Sequence, residues 1–146
     1  MKSVIILLLC GLLAPVAVSQ QEQKDSFATV TIYREKAAFK GRLAQPPVYL
    51  NGNLLCEMPV GRVTSWKVRP GTYIFTSADP TSNVKITIQA GQIYYIQLGG
   101  TLHRGVGRLS LVKAEQGKQQ TSKLKPLESD RITANDLYAD GTIARQ

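Results

Sequence analysis

Three two-residue turn signals constrain this chain more than anything else in it, because each sits between short runs of strand-forming residues. Asn51-Gly52 separates Val48-Tyr49-Leu50 from Asn53-Leu54-Leu55-Cys56, Pro70-Gly71 separates Val63–Val68 from Thr72–Thr76, and Ala90-Gly91 separates Val84–Gln89 from Ile93–Leu98. Turns this short are expected to close hairpins between antiparallel neighbours, since a parallel pair needs a long crossover. Asn-Gly is the strongest of the three, because both residues tolerate the positive φ that a tight hairpin demands. The runs beside the turns are rich in Val, Ile, Thr, Tyr and Phe, the residues that fit a pleated surface.

The rest of the chain extends the pattern. In Phe27–Arg34, Ala28, Val30 and Ile32 alternate with Thr29, Thr31 and Tyr33, which places the first set toward a core and the second on the other face. Trp66 and Val68 share a face of their run, and Arg108–Val112 reads as a last strand. Glu35–Pro47, with Lys36, Lys40, Gly41, Arg42 and two prolines, is a loop onto whose sandwich Phe39 is expected to fold back. Residues 78–83 form a polar loop, and 99–107 form a Gly-rich connection. No long run has helical periodicity before residue 113. The expected fold is an all-β antiparallel β-sandwich of about seven strands, immunoglobulin-like or transthyretin-like. After it, 114–125 is rich in helix formers, weakened by Gly117 and stopped by Pro126. Residues 126–146 read as a poorly ordered tail whose Ile132, Leu137, Tyr138 and Ile143 are its candidate contacts.

The first nineteen residues have a different character. A basic Met1-Lys2-Ser3 precedes the apolar run Val4–Leu13, and Ala17-Val18-Ser19 sets small residues ahead of Gln20. This is the pattern of a cleaved secretory signal peptide, and its apolar run is short for a bilayer span. Cys10 is a poor lipidation site, because Leu9 stands where a small residue is needed. The division expected is a signal at 1–19, a flexible leader at 20–26, a sandwich at 27–113, a short helix at 114–125 and the tail. Cleavage would leave Cys56 as the sole cysteine, which excludes an internal disulfide and reads as a small buried hydrophobe.

Beyond the turns, the order of segments is distinctive. A strand ends in Tyr33-Arg34, and a variable loop leads to Val48-Tyr49-Leu50-Asn51-Gly52. Then come Pro70-Gly71-Thr72-Tyr73, Ala90-Gly91-Gln92-Ile93-Tyr94-Tyr95, a basic Gly-containing segment, a last strand and a short helix. Over roughly Phe27 to Lys125 this resembles the bacterial family catalogued as domain of unknown function 2846, and it is similar in style to the PEGA-type surface β-domains. The resemblance implies a β-sandwich in an envelope or secreted location, with no established activity. Many members carry a lipobox, from which this chain departs.

Residues that carry chemistry are sparse. His103 is the single histidine, and with one mature cysteine it cannot complete a zinc site of three or four ligands. No nucleophile-elbow sequence accompanies it. Glu35, Glu57 and Asp79 sit at strand-end or loop positions, where solvation is their ordinary role. The segment 99–107 lacks the Gly-Lys-Ser/Thr ending and following helix of a phosphate-binding loop. Tyr33, Tyr49, Tyr73, Tyr94 and Tyr95 fall on strands, and adjacent Tyr94 and Tyr95 must face opposite ways, against a sugar-stacking platform. No metal and no cofactor is expected.

Charge is the remaining lead. The chain carries a net charge of +8. Lys36, Lys40 and Arg42 of the first loop, with His103, Arg104 and Arg108 of the second segment, form a candidate anion- or partner-binding set for lipid head groups, acidic glycans or an acidic envelope protein. Nucleic acid is excluded as a partner by export and by the lack of a recognition motif. The expected function is a non-enzymatic binding or structural module of the bacterial cell envelope, secreted or periplasmic. The alternatives are an accessory domain that pairs through an edge strand and a small hydrolase.

Overall fold

The computed structural model describes residues 27–36, 44–79, 81–100, 107–133 and 143–145. The signal segment, the leader, Phe39, Leu137 and Tyr138 lie outside them.

The strands run β1 (Ala28–Arg34), β2 (Pro47–Leu50), β3 (Asn53–Glu57), β4 (Arg62–Val68), β5 (Gly71–Ser77), β6 (Asn83–Ile88), β7 (Ile93–Gly100) and β8 (Gly107–Val112). A helix α1 (Ala114–Thr121), two short strands β9 (Lys125–Pro126) and β10 (Ile143–Arg145), and a 3₁₀ turn at Ser129–Arg131 follow. One sheet has the order β10-β4-β1-β7-β8, with β9 also on β4; the second has the order β3-β2-β5-β6. The all-β sandwich is therefore what the chain forms, with eight strands in the span expected to hold about seven. Of the three turn signals only Asn51-Gly52, with φ of 49° and 84°, closes a hairpin, between β2 and β3; Pro70-Gly71 and Ala90-Gly91 instead carry the chain from one sheet to the other, because β4 and β7 lie in the first sheet and β5 and β6 in the second.

Two pairings depart from the antiparallel expectation, the short β9 on β4 and the central β7 on β1. β1 lies antiparallel to β4 but parallel to β7, with Val30 opposite Tyr94 and Tyr33 opposite Gln97. The polypeptide between them has room for the crossover because it builds the whole second sheet.

The core lies between the sheets. Val30, Ile32, Trp66, Val68, Ile96 and Leu98 from one sheet meet Val48, Leu50, Leu55, Phe75, Ile86 and Ile88 from the other, all buried. Each such side chain contributes about 1.5–3 kcal/mol when it leaves water. The opposite face of β1 was read as outward. Its alternation is as expected, but Thr31 and Tyr33 are buried there too. The cause is α1, which lies across that face. Gly117 is buried on Tyr95, and a Cβ at this position would overlap the Tyr95 side chain. The glycine that weakens the helix is what lets it approach the sheet. The Tyr33 hydroxyl donates to the Gln120 side chain, and Thr31 and Ser65 share a hydroxyl hydrogen bond of 2.9 Å beneath. A polar helix of eight residues does not hold alone in water, so these contacts keep it in place.

The segment after the helix corrects two expectations. The helix ends at Thr121 rather than 125, and the first part of the tail is packed. Lys125 N donates to Gly61 O at 3.1 Å and Leu127 N to Val63 O at 2.8 Å, adding β9 to β4. Leu127 is 4% exposed and Ile132 is 8% exposed; Ile132 forms a bridge to Cys56, and Thr133 N donates to Leu55 O at 2.9 Å. Ile132 belongs to the core and is no free contact residue. Ile143 stands opposite Val68 in β10.

Across the sandwich, β8 and β6 end the two sheets. The buried Ser82 hydroxyl lies 2.7 Å from Leu109 N, which donates to it, and 3.3 Å from Leu109 O, to which it donates.

Candidate functional site

The parallel pairing of β1 and β7 decides where the basic segments sit. Both strands run the same way, so the chain leaves β1 after Arg34 and β7 after Gly100 at one end of the sandwich. It re-enters β8 at Gly107 from that same end. The returning limb of the first loop touches the returning limb of the second: a Cβ on Gly107 would lie 3.0 Å from Pro46 Cγ and 2.7 Å from Leu98 Cδ1. The segments 35–46 and 101–106 are thus rooted side by side.

Arg34 holds this end together. It is 5% exposed, and its guanidinium donates to Ala44 O at 2.6 Å and Met58 O at 3.1 Å. Burial pulls its pKa below the ordinary arginine value. The Tyr33-Arg34 pair therefore divides its work: the tyrosine holds the helix on one face and the arginine secures the loop ends.

Of the six basic residues singled out in sequence, Lys36 and Arg108 fall within the described residues, and Lys40, Arg42, His103 and Arg104 do not. Both described ones are exposed at the loop end. They flank it rather than meet. Lys36 lays its stem over Gly61 on the β4 side, with Lys36 Cγ 3.2 Å from where a Gly61 Cβ would be, while Arg108 is opposite Gly99 at the β8 side.

The structure adds residues that sequence reading passed over. Gln119 and Gln120 at the C-terminal end of α1, with Lys123 and Leu124 just after it, line an open cleft of about 570 Å³ together with Glu35 and Lys36. A second hollow of about 410 Å³ is lined by Leu54, Glu57, Asp130, Arg131 and Thr133. Beside it Glu128 bridges Arg62 at 2.9 Å and Arg131 at 3.0 Å. The hydrogen bond from Arg131, then the charge of Arg62, hold the Glu128 carboxyl below the usual glutamate range. The sequence signal for the first cleft is Gln119-Gln120 in the last turn of the helix with Lys123 just after it; it has meaning only once the helix is known to lie on the sheet.

The tyrosines and the cysteine have structural work. Tyr73 donates to Arg69 O at 3.0 Å, and the Tyr94 hydroxyl accepts from Gln89 N at 3.0 Å. Tyr94 and Tyr95 take opposite faces, as the alternation requires, with Tyr94 against the core and Tyr95 beneath Gly117. Cys56 is fully buried, and burial, with the neighbouring Glu57 charge, pushes its thiol up to about 12. A thiol that stays protonated is a poor nucleophile. Asp79 accepts from Thr81 N and Oγ1 at 2.9 and 2.6 Å in the turn that presents Ser82. Among the described residues, no helix is long and apolar enough to cross a membrane.

Fold and loop end together define a small β-sandwich module with a basic, loop-bearing end. The model of the family described as protein of unknown function DUF2846 matches residues 24–105, more than half of the 146, and the chain belongs to that family. No curated protein and no solved structure matches it. The matched span takes in β1 to β7 and both loop exits, and stops short of β8, α1 and the packed tail.

Proposed function

We propose that the protein is a non-enzymatic binding or structural module of the bacterial cell envelope, exported through the segment 1–19, that meets an anionic partner with its loop end. The observation that carries this reading is the parallel β1–β7 pairing, which roots the two basic segments at one end of a rigid scaffold. Loops held on such a scaffold are where recognition usually resides. The +8 charge and the signal pattern support the same reading. The edge-pairing alternative meets edges that are already engaged: β4 carries β9 and β10, Ile132 bridges β3, Ser82 occupies β8 and Lys85 is exposed on β6.

The test is reversal of charge at Arg42→Glu and Arg104→Glu together. Co-sedimentation with envelope fractions is expected to fall while the circular dichroism spectrum and melting temperature stay as in the parent. Unchanged co-sedimentation would refute the loop-end reading.

A further inference from the structure

We propose that the cleft between the exit of β1 and the C-terminal end of α1 is a binding site for a sugar that bears a carboxylate. The inference deepens the reading of the loop end as an anion-contacting surface and rests on it.

Gly61 organises the cleft. Its N–H donates to Arg34 O at 2.9 Å and to Glu35 O at 3.3 Å, and its carbonyl accepts from Lys125 N at 3.1 Å. Lys36 follows the first of these tethers and Lys123 precedes the second, so one residue fixes both walls. Gly61 has φ of 72° and no side chain, and the Lys36 stem occupies the space above it. The far wall is pinned again where Tyr33 donates to Gln120. Two lysines are thereby brought to the lining of one hollow from segments far apart in sequence. Neither lysine has a carboxylate within ion-pair distance among the described residues.

The lining is mixed, and the mixture selects the ligand. Lys36 and Lys123 suit one acidic group through charge-assisted hydrogen bonds. The Gln119 and Gln120 amides donate and accept, and the Glu35 carboxylate only accepts, which suits hydroxyl groups. Leu124 offers a half-buried apolar surface for a ring face. A bare phosphate would gain the lysines but set its greater charge against Glu35, and it has no ring face to lay on Leu124. The volume of about 570 Å³ falls within the range of small-molecule sites, ~300–1,000 Å³, and admits one or two sugar rings.

The experiment is titration calorimetry on the whole chain with a galacturonate dimer, a neutral galactose dimer and inorganic phosphate. The galacturonate dimer is expected to bind at least about tenfold more tightly than the other two, a difference of roughly 1.4 kcal/mol. Lys36→Ala with Lys123→Ala, both on exposed side chains, is expected to lower that affinity at least about tenfold. Parent-like binding by the lysine variant, equal binding of phosphate, or no binding of the galacturonate dimer overturns the proposal. Envelope attachment that survives in the arginine variant counts against the loop-end reading instead, so the two ideas fail separately.

Discussion

The two open sides of the sandwich are closed by different means. On the β3/β4 side, a late segment of chain adds backbone to both sheets: β9 and β10 pair with β4, and Ile132 bridges Cys56 of β3. On the β6/β8 side, one side chain does the work, the Ser82 hydroxyl on both outward groups of Leu109, while Lys85 stays exposed and Leu111 is 52% exposed. The first device buries apolar side chains and satisfies a row of amides. The second satisfies a single residue and relies on charge to discourage pairing. A sheet edge can thus be protected either by more structure or by one well-placed polar group, and the two fail differently.

The comparison can be broken at the sealed side first. Leu127→Ala removes a core side chain from the packed tail and is expected to cost about 2–5 kcal/mol in chemical denaturation. Alkylation of Cys56 should accelerate as the segment over β3 loosens. A loss of only a few tenths would mean that the tail merely decorates the sandwich. On the open side, Ser82→Ala leaves the Leu109 amide without its acceptor and is expected to cost about 1–3 kcal/mol, with self-association visible by light scattering. An unchanged melting curve and a monodisperse monomer would show that the β8 edge needs no guard.

Acidity separates the sides more finely. The depressed Glu128 pKa means that its contribution is present above the ordinary glutamate range and is lost as pH falls through the folded value. Cys56 and Tyr33, both held near 12 mainly by burial, act in the other direction. Their contribution is complete below the unfolded thiol and phenol values and is lost as pH rises toward 12. The protection factors of the Leu127 and Thr133 amides, with intrinsic exchange divided out, should therefore fall at both extremes, with Glu128→Gln flattening the acid limb alone. The effect is the smallest expected here, because Glu128 is solvent-exposed and its pairs are screened. An acid limb of protection that is the same in the parent and in Glu128→Gln would remove Glu128 from the account of the sealed side.

Much of this was legible from local chemistry. The eight strands follow runs whose alternation is visible, and Asn51-Gly52 and Gly91 announce their turns because only positive φ fits there. What stayed hidden is non-local. Nothing in Phe27–Arg34 names β7 as a neighbour, since a parallel partner arrives without a shared turn. Thr31 and Tyr33 look like a solvent face until α1 covers them, and α1 is too polar to announce a buried side; Gly117 is its one signal. Leu127 and Ile132 stand singly in a polar stretch, so no periodicity marks them as core. The candidate site divides the same way. Its basic residues were visible as composition, the shared end of their two segments needed the topology, and the cleft needed the docked helix.

The parallel neighbour of β1 also sets a timetable. Val30 cannot find Tyr94 until nearly two-thirds of the chain has been made, so until then the first sheet can offer the second only its β1–β4 pair. Closing so long a loop is entropically slow, and folding rates fall as such distant contacts come to dominate. The central pair of the first sheet therefore forms late, after β2 to β6 have all been made.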